Sequence, residues 1–187
     1  MVSNEEKRQA IQEALERAAR LLELSNYRLA YQTLQAVEED VKQHEVDFPE
    51  LKNQYDDLLG TARRSARGKI KEAREHLDII LRQPVAEFDE EETRAALRVW
   101  ETNLLTEEDP LLDSYTEQVD QRSDDYTYFV EAETVRQEVE GLWNQAKQLK
   151  ETSKDITPGE LYERFYNRAY DMVREASAAH PTNSVLA

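Results

Sequence analysis

Apolar side chains recur every three or four residues along most of this chain, and the positions between them are polar or charged. This spacing places the apolar side chains on one face of an α-helix. The stripe runs with short interruptions from Ile11 to Ala176. We therefore predict an all-α fold.

Six start signals divide the stripe into helices. Each supplies a side-chain oxygen for the free amides of a first helical turn, and three of them add a proline where no N–H is needed. The predicted starts are Ser3 with Glu6, Asn26, Asp47 with Pro49 and Glu50, Asp89 with Glu92, Asp109 with Pro110, and Thr157 with Pro158 and Glu160.

The helices that follow these signals differ in length. The stripe over 49–82 continues through Gly60 and Gly68, so we expect one long helix there, bent or straight, rather than two helices joined by a loop. The stripe over 110–150 slips in phase near 122–125, which predicts a kink or a break into two helices. Shorter helices are predicted over 26–45, 89–105 and 158–179.

Proline marks a repeat in this arrangement. FPELKNQYDDLL, from Phe48, aligns with DPLLDSYTEQV, from Asp109, and a further X-Pro falls at Pro181. Each of these prolines follows a shorter helix that itself follows a longer one. We predict one helical domain of about three hairpin units. The units cover 4–48, 49–109 and 110–180, with 181–187 as a tail.

The shorter helices resemble those of a known repeat family. TRAALRVWE at 93–101, followed by LL at 104–105 and DP at 109–110, is similar to the second helix of a tetratricopeptide (TPR) unit and its following X-Pro. NYRLAYQTL at 26–34 resembles the same element. The prolines here are 61 and 71 residues apart, whereas the family repeats every ~34 residues.

The resemblance implies tandem antiparallel hairpins that stack as a short TPR-like array and bind a protein partner, because a lone hairpin cannot bury its apolar face. The longer spacing follows from a longer first helix in each unit. A single elongated helical bundle or coiled coil is the alternative fold.

Composition and charge exclude several classes of protein. The chain has 187 residues, with 40 acidic and 24 basic side chains, a net charge of −16, 4 glycines and no cysteine. The lack of cysteine excludes a disulfide framework, a zinc knuckle and a thiol nucleophile. The small number of glycines disfavours phosphate-binding loops, which are rich in glycine. No apolar run is long enough to span a membrane and the first residues lack a signal-peptide core, so we expect a cytoplasmic protein.

The sequence offers little for catalysis. His44, His76 and His180 form no H-E-x-x-H or E-x-x-H pattern. The glycine motifs of nucleotide-binding proteins and hydrolases do not occur either. We predict no enzyme activity, no cofactor and no metal site.

Tyr162, Tyr166 and Tyr170 are the first candidate binding residues. Their four-residue spacing sets them on one stripe of the last helix, beside Leu161 and Phe165. Tyrosine suits an interface because its ring buries area while its hydroxyl stays hydrated. Two interpretations stay open: the stripe belongs to the core or packs on the preceding long helix, or it packs on a partner outside this chain.

Arg63, Arg64 and Arg67 are the second group of candidate binding residues. They lie in the stretch 61–74, which has six basic residues and one acidic residue. This stretch is a solvated or ion-paired helix face, a docking site for an acidic protein or a second copy, or a contact for nucleic acid. The net charge of −16 and the lack of interleaved aromatic residues disfavour nucleic acid. The acidic stretch 86–140 is solvated surface or a site for a basic partner.

These observations predict a non-catalytic protein–protein interaction or scaffold module, which is a subunit or fragment of a larger assembly. A self-associating helical bundle or coiled coil is the alternative. A weaker alternative is an adaptor whose basic segment contacts nucleic acid or an anionic membrane.

Overall fold

The computed structural model describes residues 4–105, 109–153 and 155–179, and every regular element in these ranges is helical. The all-α prediction is confirmed. The elements are α1 (Asn4–Glu23), α2 (Tyr27–Gln35), α3 (Glu38–Gln43), α4 (Pro49–Ile80), a 3₁₀ turn (Val85–Glu87), α5 (Glu90–Asn103), α6 (Pro110–Thr152), α7 (Pro158–Leu161), a π-helical segment (Tyr162–Tyr166) and α8 (Asn167–Ala179). We call the last three together the final helix.

The contacts divide the chain into two compact units. Unit 1 is Met1–Arg82 with Asp89–Gln118, and unit 2 is Gln83–Phe88 with Val119–Ala187. The boundary falls inside α6, so this helix contributes residues to both units. The predicted division into three hairpin units stays a prediction, and the predicted tail at 181–187 lies outside the described residues.

Four of the predicted start signals cap their helices. In each, a side-chain oxygen accepts a backbone N–H of the first turn, which satisfies a donor that the helix itself leaves free. The bonds run from Leu29 N to Asn26 (3.3 Å), from Glu92 N to Asp89 (2.9 Å), from Leu111 N to Asp109 (3.0 Å) and from Glu160 N to Thr157 (3.3 Å). The predicted cap at Ser3 lies outside the described residues.

The predicted cap at Asp47 is wrong. Phe48 is the N-cap of α4 and makes no side-chain cap bond, while Pro49 takes the first helical position as predicted. The Asp47 carboxylate instead lies 3.2 Å from Nδ1 of His44. The Phe48 ring packs against the core of unit 1, which explains the apolar residue at this position.

The single helix predicted over 26–45 is also wrong. The chain leaves helical geometry at Val37, which has φ −111° and ψ 4°. Leu34 and Val41, on either side of this break, are both buried in one hydrophobic cluster, and Val37 packs against it. Tertiary packing outweighs local helix propensity here.

The two long helices are continuous. α4 passes through Gly60 and Gly68 without a break, as predicted. α6 runs over 43 residues, so the predicted alternative of a break near 122–125 does not occur.

The core of unit 1 lies where α1, α2 and α4 contact one another. Ile11 and Leu15 of α1 pack there with Leu34 of α2 and with Leu51 and Tyr55 of α4. Burial of these side chains removes apolar area from water, which is the main favourable contribution to folding. The apolar stripes of these three helices, together with Val41 of α3, therefore meet in one cluster.

A polar cluster fixes the start of α6 within unit 1. The buried Tyr115 hydroxyl donates to the Asp78 carboxylate and accepts from Nε of Arg74 (3.3 Å). The Tyr115 ring lies 5.2 Å from the ring of Trp100, centre to centre. The indole N–H of Trp100 donates to the Asp109 carboxylate (2.9 Å). Apart from the exposed Arg74, these polar groups are buried or half-buried, and the cluster satisfies their hydrogen bonds.

Unit 2 has a smaller core. The hydrophobic residues that are buried in its described part are Phe88, Val119, Ala132 and Leu142. The Phe88 ring lies 5.9 Å from the ring of Tyr126. Over 158–179, every residue of which the structure describes, no side chain is buried. The final helix therefore keeps much of its apolar stripe in solvent.

Candidate protein-binding groove

An open apolar groove lies within unit 2, between the second half of α6 and the final helix. Its cavity measures about 660 Å³. The lining residues are Val139, Leu142, Trp143, Ala146, Lys147 and Lys150 on one wall, and Pro158, Leu161, Tyr162, Phe165, Tyr166 and Ala169 on the other. We call this feature the unit 2 groove.

The same helical periodicity builds both walls. On each wall the lining residues fall at positions i, i+3, i+4, i+7, i+8 and i+11, which form one face of three helical turns. At 1.5 Å per residue, each face is about 16 Å long. The π-helical segment, closed by an N–H bond from Asn167 to the Tyr162 carbonyl, lies in the middle of the second wall.

A capping box fixes the first turn of the second wall. Glu160 accepts the backbone N–H of Thr157 (2.8 Å) while its own N–H donates to the Thr157 hydroxyl (3.3 Å). The bond from the Thr157 backbone, and after it the bond from the hydroxyl, lower the pKa of Glu160. The carboxylate is therefore ionised at neutral pH and retains both bonds.

Aromatic side chains dominate the exposed surface of the groove. Trp143 is 68% exposed, Tyr162 53% and Tyr166 55%. The rings of Tyr162 and Tyr166 stack, with centroids 4.6 Å apart and 19° between their planes. Burial of apolar area is worth about 25 cal/mol per Å², so covering such rings is strongly favourable. Exposed apolar groups that cluster in this way are typical of a binding surface.

Two lysines are the charged residues of the lining. Lys147 and Lys150 lie one turn apart on the α6 wall. Within the described ranges, neither is placed to form an ion pair with a carboxylate. We call these two lysines the rim of the groove, and both are basic although the chain as a whole has a net charge of −16.

The predicted tyrosines fall on different parts of this surface. Tyr162 and Tyr166 line the groove, whereas Tyr170 is 57% exposed and lies beyond the lining, on α8. All three are exposed, so the interpretation of this stripe as core does not hold. Their role in binding a partner stays a prediction.

The sequence reasoning missed Trp143, Lys147 and Lys150. Trp143 belongs to a stripe with the same spacing as the stripes that form the core of unit 1, and spacing alone does not distinguish an exposed face from a buried one. The sequence did contain one signal. Lys147 and Lys150 lie on the same helical face as Trp143, whereas a face that is buried in a core has apolar residues at such positions.

The predicted arginines lie in unit 1, on α4, and all three are exposed. The Arg63 guanidinium lies 5.6 Å from the centre of the Tyr31 ring, and Arg64 donates to the Thr61 hydroxyl (3.4 Å). In the part of the chain that the structure describes, Arg63, Arg64 and Arg67 form no ion pair. They make a solvated basic face, and their role in binding also stays a prediction.

A second open cavity of about 580 Å³ lies in unit 1, beside α4 and α5. Its charged residues face one another. Nε2 of His76 lies 2.8 Å from Glu92, and Lys69 lies 2.7 Å from Glu72. Because these groups are already paired, this cavity offers a partner less than the unit 2 groove does.

The described residues include no group of three or more His, Asp or Glu side chains placed to hold a metal ion. None of the described helices combines the length and the apolar character needed to cross a membrane.

Comparison of the chain with protein-family models, with curated proteins and with solved structures finds no match. Function is therefore inferred from the geometry and charge of the unit 2 groove.

Proposed function

We propose that this protein is a non-catalytic protein-interaction or scaffold module that binds a protein partner through the unit 2 groove. The observation that carries the proposal is the joint exposure of Trp143, Tyr162 and Tyr166 in one open apolar cavity. Apolar surface of this kind is unfavourable in water, and a protein that covers it removes that disadvantage.

Unit 1 supplies a helical scaffold in this proposal. In it α1 contacts α2, α2 contacts α4, and α4 contacts α5. This order of contacts fits the tandem hairpins that a TPR-like array implies, and membership of a larger assembly fits such an array. A cytoplasmic location fits the absence of cysteine, because cytoplasmic thiols are kept reduced and disulfides are rare there.

Affinity capture from cells that make the protein tests the proposal, with the whole chain as bait. The variant Trp143→Ala/Tyr162→Ala/Tyr166→Ala removes the exposed aromatic rings of the groove. We expect a protein that the wild type captures and this variant loses, while the circular dichroism of the two chains stays the same.

A matched control removes the same number of exposed apolar side chains from unit 1. Leu24→Ala/Val46→Ala/Ile79→Ala serves this purpose because all three side chains are more than half exposed. The control is expected to capture the same protein as the wild type. Equal capture by the groove variant would remove the groove from the proposal.

Self-association is the second candidate, since the same exposed rings of unit 2 can pack against a second copy. Sedimentation velocity over a range of protein concentrations separates the two. A monomer at every concentration supports binding of a different partner. A dimer that dissociates in the groove variant supports the self-associating bundle.

A further inference from the structure

The shape and charge of the unit 2 groove indicate what kind of partner it takes. We propose that it binds an amphipathic α-helix of another protein, whose apolar side is flanked by aspartate and glutamate. This inference rests on the proposed function and names the class of partner for the same site.

The dimensions of the groove fit one helix. Two helical walls, each about 16 Å long, face each other across about three turns. A cavity of about 660 Å³ takes a row of side chains. An amphipathic helix places its apolar side chains at i, i+3, i+4 and i+7, the same period as the walls.

The chemistry of the walls disfavours other occupants. Both walls are helices, so their backbone N–H and C=O groups are already bonded and offer no edge to an added β-strand. The polar side-chain groups in the lining are the two tyrosine hydroxyls, the two lysine ammonium groups and the indole N–H of Trp143, and the rest is apolar. A lining of this kind fits the apolar side chains of an amphipathic helix better than it fits a polar small molecule.

The charge of the rim selects an acidic helix. An apolar peptide that lies over the groove brings its flanking residues close to Lys147 and Lys150, which have no carboxylate partner in the described ranges. Acidic flanks supply that partner, whereas lysine flanks bring like charges together.

Three synthetic peptides of about 14 residues, the length of four helical turns, test the proposal with the full chain. All have leucine in the same number. The acidic peptide has leucine at i, i+3, i+4, i+7, i+8 and i+11 with glutamate elsewhere. The basic peptide keeps this pattern with lysine in place of glutamate, and the scrambled peptide keeps the acidic composition without the pattern.

Tryptophan fluorescence reports docking at the groove itself. Trp143 is open to solvent, so we expect acrylamide to quench its emission, whereas Trp100 is 1% exposed and should contribute little to the quenching. We expect the acidic peptide to protect Trp143 in a saturable manner and to bind at least ~10-fold more tightly than the basic peptide. The scrambled peptide is expected to give no protection.

Charge reversal connects the preference to the lysines. Lys147→Glu/Lys150→Glu is expected to reverse the order of the acidic and basic peptides. Arg17→Glu/Arg20→Glu makes the same charge change at the same spacing, at two exposed positions of α1, and it is expected to leave the order unchanged. Added salt should reduce the preference, because the charged groups of the rim are exposed.

Equal binding of the acidic and basic peptides, binding of the scrambled peptide, or loss of the preference in the arginine variant would each overturn the proposal. A dimer of this chain that the acidic peptide fails to displace would overturn it as well. If no peptide binds, while the wild type captures a protein that the groove variant does not capture, the proposal of an acidic helix is wrong and the proposed function stands. If the captured protein is retained by the groove variant, both are wrong.

Discussion

Units 1 and 2 contain the same kind of amphipathic helix. The apolar stripe is buried in unit 1, whereas much of it is exposed to solvent in the final helix of unit 2. Trp100 of unit 1 is buried and its indole N–H is hydrogen-bonded to Asp109. Trp143 of unit 2 follows the same helical spacing and is open to solvent. Periodicity therefore identifies a helix face that can be buried, while the neighbouring helices determine whether it is.

The difference has a consequence for local stability. The helices of unit 1 bury their large side chains against one another, whereas the final helix of unit 2 buries none of its own. Segments with little buried apolar area open at a lower free energy than the core does. We expect unit 1 to dominate the free energy of unfolding and the final helix to open first.

The largest effect is expected from a cavity in unit 1. Leu77 of α4 is fully buried, so Leu77→Ala should lower the free energy of unfolding by about 2–5 kcal/mol. Trp143→Ala removes a larger side chain from an exposed site and should change it by no more than about 0.5 kcal/mol. Urea unfolding followed by circular dichroism measures both. A similar loss in both variants would contradict the contrast between the units.

The second prediction concerns the polar cluster at the start of α6. Asp109→Ala removes the acceptor of the Trp100 indole N–H and the cap of the Leu111 N–H. Because the indole N–H stays buried without a partner, the loss should be about 1–3 kcal/mol. Glu117→Ala, at an exposed acidic position on α6, is the control and should be nearly neutral. The same urea titration gives both values.

The third prediction uses alkaline pH to probe the core of unit 1. Burial raises the pKa of Tyr55 to about 12, and its hydroxyl has no hydrogen-bond partner within the described residues. A raised pKa in the folded state stabilises the protein below the unfolded pKa of about 10, and this stability is lost as pH rises through about 12. At about pH 11 the wild type should have lost about 1 kcal/mol. Tyr55→Phe has no hydroxyl to ionise at this position and should not show this loss. Urea unfolding at neutral and at alkaline pH measures the loss in both chains.

The fourth prediction compares one glycine from each unit. A Cβ atom added at Gly68 of α4 or at Gly141 of α6 meets nothing within 4 Å. Either change to alanine should therefore stabilise its helix by about 0.5–1 kcal/mol, because alanine loses less backbone entropy on folding. Thermal unfolding measures the gain. A destabilised Gly141→Ala would indicate that something packs on this face of α6.

The smallest effect is expected at the first turn of the final helix. Hydrogen bonds from Thr157 lower the pKa of Glu160, so the stability from this cap is present above the ordinary pKa of 4.5 and is lost as pH falls through the lower folded value. Amide hydrogen exchange over 158–166 should therefore accelerate in acid, once corrected for its intrinsic pH dependence. Glu160→Gln should remove this acid dependence, and core amides of α4 should not share it.

Local chemistry made much of the fold predictable. The caps at Asn26, Asp89, Asp109 and Thr157 depend on side chains within three residues of the amides that they bind, so the sequence contains both partners. The continuity of α4 followed from its unbroken stripe. The break at Val37 was not predictable, because it depends on packing against helices distant in sequence.

The candidate site was predictable only in part. Tyr162 and Tyr166 were identified because their four-residue spacing and residue type are visible in the sequence. Trp143 and the two lysines were missed because their importance depends on the final helix lying opposite them across the groove. The π-helical segment over Tyr162–Tyr166 gave no signal in the sequence.

The sequence alone determined that the chain is helical, where most of its helices begin and that its charge is strongly acidic, since these properties arise from neighbouring residues and composition. The tertiary structure decided which apolar faces are buried and which stay open, and it set two lysines beside an apolar groove. Burial depends on which surfaces meet in space, and residues distant along the chain determine that meeting.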